Sequence, residues 1–225
     1  MATLVAPVEV SVLILGANGT GKESVARRIH EESDRRLMPF VAVNCSVISK
    51  ELAPSLLFGH AKGSFTGAEK DTEGYFGMAE GGTLFLDEIG TLGYEAQSML
   101  LRVLQEGTYT PVGGNRERRA DVRIVAATNE DLAQGIRENR FREDLYHRLA
   151  EFEIRLPALR ECRADILPLA GFFRERFSSE LRKPTEGFTP EAEERLLSYP
   201  WPGNIREMQN RVRRAVLLAE SPLVG

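Results

Sequence analysis

No run of apolar residues in this chain of 225 approaches the ~20 that a membrane-spanning helix needs, and residues 1–16 carry neither a basic n-region nor a small-residue cleavage site. The expectation is a cytoplasmic protein with no membrane contact. Cysteine is scarce: the two, Cys45 and Cys162, have no CxxC spacing and cannot build a disulfide framework. The three histidines, His30, His60 and His147, stand far apart without zinc-ligand spacing, which excludes a structural zinc site. Positive charge is not in excess either. Lys and Arg number 29 against 33 Asp and Glu, a net charge of −4, so the chain does not hold nucleic acid by bulk electrostatics. There is no low-complexity tract and no internal repeat.

What is present is ordinary globular material, 42% hydrophobic and 28% charged. Through the first two-thirds the hydrophobic period alternates between strand-like and helix-like, the pattern of an α/β sheet with crossover helices. Val10–Leu15, Phe40–Val43, Thr83–Leu86, Val122–Ala127 and Phe152–Leu156 are short and apolar enough to be buried on both faces of a parallel five-stranded sheet. A helix follows the first of them, with Val25, Ala26 and Ile29 on one face of Glu23–Glu32. After Leu156 the pattern is helical only, over Asp165–Leu181, Thr189–Ser198 and Asn204–Ala219. The second of these opens on a Thr cap followed by Pro at the first helical position. The expected domains are an α/β subdomain, 1–156, and a small helical subdomain, 157–225.

Chemistry concentrates at the strand ends. Gly16-Ala17-Asn18-Gly19-Thr20-Gly21-Lys22-Glu23 fits G-x-x-x-x-G-K between a strand and a helix, where backbone N–H groups cradle phosphates and Lys22 reaches the β- and γ-phosphates. The alternative is a glycine-rich connector. Glu23 stands where a Ser or Thr hydroxyl usually meets magnesium. Thr83–Glu88 ends an apolar strand in two carboxylates: Asp87 suits hydrated magnesium, and Glu88 suits polarising a water. Asn129, after Val125–Thr128, either meets the γ-phosphate or water, or caps a helix beginning near Asp131. Phe141–Leu149 places Arg142 and Arg148 on a short helix. They are either a solvated, Glu-paired face or guanidiniums that reach a nucleotide in a neighbouring subunit.

Taken in order, Gly16–Glu23, Thr83–Glu88, Ala127-Thr128-Asn129, Phe141–Leu149 and Trp201-Pro202-Gly203-Asn204-Ile205-Arg206-Glu207 resemble the AAA+ domain of bacterial sigma-54-dependent transcription activators. The resemblance covers nearly the whole chain. Its most specific element, Leu57-Phe58-Gly59-His60-Ala61-Lys62-Gly63-Ser64-Phe65-Thr66-Gly67-Ala68, is similar to the family's GAFTGA loop and its lead-in. The resemblance implies an AAA+ P-loop NTPase fold, ATP and Mg2+ as cofactors, and an ATPase that remodels the sigma-54 RNA polymerase closed complex. It also implies a homo-oligomeric ring, taken as a hexamer, with DNA binding only through a C-terminal domain absent here.

Residue by residue, it implies that Gly16, Ala17, Asn18, Gly19, Thr20, Gly21, Lys22 and Glu23 form the nucleotide loop. Asp87 then supports magnesium, Glu88 is the catalytic base and Asn129 the first sensor. Asn44 is similar to the switch asparagine that restrains the glutamate. Arg142 and Arg148 match the trans-acting arginines, and Arg206 matches the second sensor. Gly63, Ser64, Phe65, Thr66, Gly67 and Ala68 are implied as the sigma-54 contact, with Phe65 at the tip. Residues 107–119, with Gly113-Gly114, resemble a hairpin that supports that loop. Without the family, Phe65 reads as core in a tight turn. The chain departs from the family pattern at Ser64 (usually Ala), Ala61 (usually Glu) and Pro111 (usually Arg). Two rivals remain: a nucleotide-regulated assembly module without productive remodelling, and another AAA+ machine such as a clamp loader or unfoldase.

Overall fold

The structure is a computed structural model and describes residues 1–65 and 67–225; Thr66 lies outside the described residues. It divides into two compact units, residues 1–15 with 22–155, and residues 16–21 with 156–225. The expected boundary after residue 156 differs from this division at two places. Leu156 and the loop 16–21 both group with the C-terminal helices, because the Asn204 amide donates to Asn18 O at 2.8 Å and Arg206 N donates to Gly19 O at 3.2 Å.

In the first unit the chain runs α1 (Ala2–Val5), β1 (Val12–Leu15), α2 (Lys22–Glu31), β2 (Phe40–Asn44), α3 (Ala53–Phe58), α4 (Gly74–Met78), β3 (Thr83–Asp87) and α5 (Tyr94–Glu106). It continues through a hairpin, β4 (Thr108–Tyr109) with β5 (Arg118–Arg119), then β6 (Arg123–Thr128), α6 (Leu132–Arg137), α7 (Glu143–Leu149) and β7 (Phe152–Arg155). All five expected strands form and pair in parallel, in the order β2-β3-β6-β1-β7. The apolar runs explain this. Every residue of β6 is buried, as are Thr83 to Leu86 of β3, the signature of strands covered on both faces. Leu57, Phe58, Phe76, Leu100 and Leu145 from the helices pack with the strands into one core, all at 0% exposure.

Parallel pairing brings every strand's C-terminal end to one edge. The register sets Asn44 beside Asp87 and Leu15 beside Thr128, so residues far apart in sequence reach that edge together.

The second unit holds α8 (Arg163–Glu180), β8 (Gly187–Phe188), α9 (Pro190–Ser198), α10 (Asn204–Leu218) and β9 (Leu223–Val224), with β8 and β9 paired in parallel. Ile166, Phe173, Phe177, Trp201, Met208, Val212 and Val216 form its own core. Thr189 caps α9 as expected, its side chain accepting from Ala192 N at 3.2 Å. Among the described residues no helix is long and apolar enough to cross a membrane.

Candidate functional site

At the sheet edge of the first unit, Glu88 is the hub. It follows β3 with φ 54° and ψ 46°, a left-handed backbone that a non-glycine residue adopts only where its surroundings require it. Here the 3₁₀ turn that follows fixes it, with Thr91 Oγ1 donating to Glu88 O at 2.8 Å. One carboxylate oxygen stands 3.6 Å from Lys22 Nζ, and the other accepts from Asn129 N at 3.3 Å. Lys22 opens α2 and is only 6% exposed, so its ammonium is held at this edge and away from bulk water.

Asp87 lies beside them. Burial, and after it the charge of Glu88, pushes its carboxyl up from the ordinary aspartate value, while Lys22 opposes the shift. The same field reaches Cys45: burial first, then Asp87 and Glu88, pushes its thiol up to about 12, so it is inert as a nucleophile. Two carboxylates with one nearby ammonium leave the edge rich in negative charge, an arrangement suited to a divalent cation. Among the described residues no group of three or more His, Cys, Asp or Glu could hold a metal ion by itself. A cation at Asp87 would therefore draw its remaining ligands from elsewhere.

Asn44 is tethered in a way the sequence did not show. Its Oδ1 accepts from Ser46 N at 2.9 Å and from Ser46 Oγ at 2.7 Å, capping the turn at 45–47. With the oxygen engaged there, the amide nitrogen is the end presented for donation. Asn129 is not a helix cap, because Asp131 fills that role, accepting from Gln134 N at 3.1 Å. Glu23 points along the exposed side of α2 and pairs with Arg27 at 3.0 Å.

The two arginines of the α7 segment differ. Arg142 is tied down: its guanidinium chelates Asp144 at 2.9 and 2.7 Å, donates to Ser98 Oγ at 3.2 Å, and lies 5.3 Å over the Tyr94 ring. Gln97, fully buried, accepts from Arg142 N at 2.9 Å and donates to Leu92 O and Arg140 O, so this amide positions the start of α7. A glutamine on the inward face of α5 was the signal that sequence reading missed. Arg148 is exposed on the helix.

The second unit carries the glycine-rich loop. Ala17 O accepts from Thr20 N at 3.4 Å and Thr20 Oγ1 at 2.8 Å, and Gly19 and Gly21 have φ +79° and +92°. Glycine is required at 19, since a Cβ there would sit 2.3 Å from Gly203 O. Asn204 anchors this arrangement: its amide reaches Asn18 O and its Oδ1 accepts from Leu159 N at 2.9 Å. Arg206 is exposed in the first turn of α10 and lines an open cleft with Asn210 and Arg214.

The loop after α3 projects from the first unit. His60 forms isolated bridges to Thr72 and to Val112, tying the loop stem to the β4–β5 hairpin region. Gly63 N donates to Ala68 O at 2.8 Å and Ala68 N to Phe65 O at 3.0 Å, closing the tip. Phe65 is 42% exposed, which places it at the surface and not in the core. Gly113, at φ +69°, packs under the tip: a Cβ there would lie 2.4 Å from the Ser64 Cβ.

Comparison with known proteins agrees with this geometry. Residues 1–155 match the family described as the sigma-54 interaction domain, and residues 160–225 match the AAA+ ATPase lid domain. The transcriptional regulatory protein ZraR of Escherichia coli (strain K12) is 53% identical over 215 residues, 96% of this chain and 49% of ZraR. The DNA-binding transcriptional regulator NtrC of Rhizobium meliloti (strain 1021) is 51% identical over 210 residues, 93% of this chain and 43% of NtrC. In crystals, NtrX from Brucella abortus in complex with ADP superposes with a TM-score of 0.92 at 36% identity, over 99% of this chain and 50% of NtrX. The chain thus spans about half the length of these relatives.

Proposed function

The chain belongs to the family of sigma-54 interaction domains with an AAA+ ATPase lid, and on that premise we propose that it is an ATPase of a ring, taken as a hexamer, that remodels the sigma-54 RNA polymerase closed complex to allow promoter opening. The observation that carries this reading is the convergence of Lys22, Glu88 and Asn129 at the C-terminal edge of the sheet. A phosphate-loop lysine, a carboxylate and an asparagine brought together there from three elements supply the parts of a phosphoanhydride hydrolysis.

The roles follow from chemistry. Backbone N–H groups of Gly16 to Gly21 and the contiguous Lys22 take the phosphates of ATP; a nucleotide as ligand is supported by NtrX, which was crystallised in complex with ADP. As phosphate oxygens compete for the Lys22 ammonium, Glu88 loses its counter-ion and its carboxylate becomes available to accept a proton from water. Asn44, its amide nitrogen presented by the Ser46 tether, restrains that carboxylate between turnovers. Asn129 orients the water or γ-phosphate. Asp87 would hold Mg2+, which supplies charge neutralisation on the phosphates. Glu23, the last residue of the loop, pairs with Arg27 on the exposed side of α2. Arg142 and Arg148 act on the nucleotide of the adjacent subunit, and Arg206 acts as the second sensor. The loop of Gly63, Ser64, Phe65, Thr66, Gly67 and Ala68 carries the motion to sigma-54.

The test is to add the protein and ATP to a sigma-54 polymerase on a closed promoter and measure strand opening by permanganate reactivity. Opening that needs hydrolysable ATP and is lost in Lys22→Ala is the expected result. ATP turnover without opening would instead favour the assembly-module reading, which the altered positions Ser64 and Pro111 also fit.

A further inference from the structure

His60 occupies a position that no catalytic role explains, and its surroundings are built. Its Nδ1 lies 2.7 Å from Ser55 Oγ on α3, and its Nε2 lies 3.3 Å from Thr72 Oγ1 across the loop stem. Both ring nitrogens thus meet hydroxyls, while the backbone of His60 is bridged to Thr72 on one side and Val112 on the other. Contacts at both nitrogens and through the backbone hold the imidazole in one orientation. Its ring packs against that of Phe65, with centroids 4.9 Å apart and planes at 61°, within the T-shaped geometry that aromatic pairs favour. Phe65 lies between Gly63 and Gly67, both at positive φ, where an added Cβ would meet nothing within 4 Å.

Beside this favourable contact is an unfavourable one. The Ser64 Oγ is buried and is one of the few side-chain polar atoms among the described residues with no hydrogen-bond partner. It lies against the Gly113 turn, where the family's usual alanine would bury only a methyl group. A buried hydroxyl without a partner favours any conformation in which it regains water.

We propose that His60 is a positioning residue whose imidazole is the resting seat of Phe65, and that the unpartnered Ser64 hydroxyl opposes that seat, setting how readily Phe65 leaves it for sigma-54. This rests on the reading that Phe65 is the sigma-54 contact. The seated state withholds Phe65 from the partner, so the apparent affinity falls by the fraction of chains seated. The two residues therefore act with opposite sign. Removing the imidazole frees Phe65 and tightens binding by about threefold to tenfold, the range that an edge-to-face pair is worth. Removing the Ser64 hydroxyl deepens the seat and weakens binding by about fivefold or more.

The experiment titrates fluorescent sigma-54 with wild type, His60→Ala, Ser64→Ala and Phe65→Ala in the presence of ADP–aluminium fluoride, with a melting curve for each. Tighter binding in His60→Ala together with weaker binding in Ser64→Ala is the expected result. Unchanged or weaker binding in a His60→Ala chain that melts like wild type overturns the seat. If His60→Ala melts early, the decision passes to a chain with 4-fluorophenylalanine at position 65 and no other change. A fluorine–proton Overhauser effect to the His60 ring supports the seat, and its absence overturns it. Normal binding by Phe65→Ala would refute the partner-contact reading itself, whereas weak binding by Phe65→Ala with an unaltered His60→Ala would refute the seat alone.

Discussion

Glu88 illustrates how much one residue can be asked to do. Its left-handed backbone turns the carboxylate toward Lys22 and Asn129, whereas an extended continuation of β3 would send the side chain elsewhere. Glu88→Gln keeps the shape but cannot accept a proton, so ATP binding should persist while turnover falls by about 10²-fold or more. Steady-state phosphate release alongside a nucleotide-binding titration checks this. Asp87 gives a different expectation. Its folded value lies above its unfolded one, so the fold is favoured by the protonated form, and that contribution is lost as pH rises through the folded value. At pH 7 the ionised carboxylate works against the fold. Asp87→Asn should therefore melt higher than wild type at pH 7, with the gain shrinking toward pH 4, as thermal melts across that range will show. The residue types at this edge were legible from the sequence, because a strand ending in Asp-Glu after a phosphate loop has few other uses. The Ser46 tether on Asn44 and the left-handed turn at Glu88 were not, since both depend on backbone paths that no local pattern encodes.

Among the elements, the sheet strands, the long helices and the short helices after Asp131 and Phe141 were legible, while other short ones were not. The five sheet strands announced themselves as apolar runs, and α2, α8, α9 and α10 as helical stretches with ends within a few residues of those expected. By contrast α1, α3 and α4 have 4, 6 and 5 residues, too few for a 3.6-residue period to repeat. The two-residue strands β8 and β9 exist only because their partners are brought together by the second unit's core. At this scale the α7 segment supplies a sharp test. Arg142 is chelated by Asp144 and stacked on Tyr94, so its guanidinium is presented as a fixed group, whereas Arg148 is exposed. If each serves a neighbouring subunit, Arg142→Ala and Arg148→Ala should bind nucleotide yet lose turnover. Mixing either with Glu88→Gln should restore part of the activity that neither shows alone, because one subunit brings a competent site and the other a competent arginine. Turnover in the mixture equal to the sum of the parents, with mixed assembly verified by cross-linking, would rule out action across the interface for that arginine.

For the whole molecule, covalent order and structural order part company. The loop 16–21 lies between a strand and a helix of the first unit in sequence, yet it groups with α10 and its neighbours through Asn204, Arg206 and the close approach of Gly19 to Gly203. Elements that share contacts open together, so the loop should be protected with the C-terminal helices. Hydrogen exchange read peptide by peptide should show Asn204→Ala raising exchange across residues 16–21 and the start of α10 together, while β1 remains protected. Exchange raised at α10 alone would mean that the loop depends on some other support.

The approach of Gly19 to Gly203 also bears on how such proteins diverge by recombination. A crossover placed at residue 156, where the chain turns from sheet to helices, separates two residues whose atoms leave no room for a side chain. Chimeras of homologous chains joined there inherit the loop from one parent and the segment that shapes it from the other. They should fold reliably only where both parents keep glycine at 19 and the same backbone path at 203, so the fragment that can be exchanged as a block is discontinuous and includes residues 16–21.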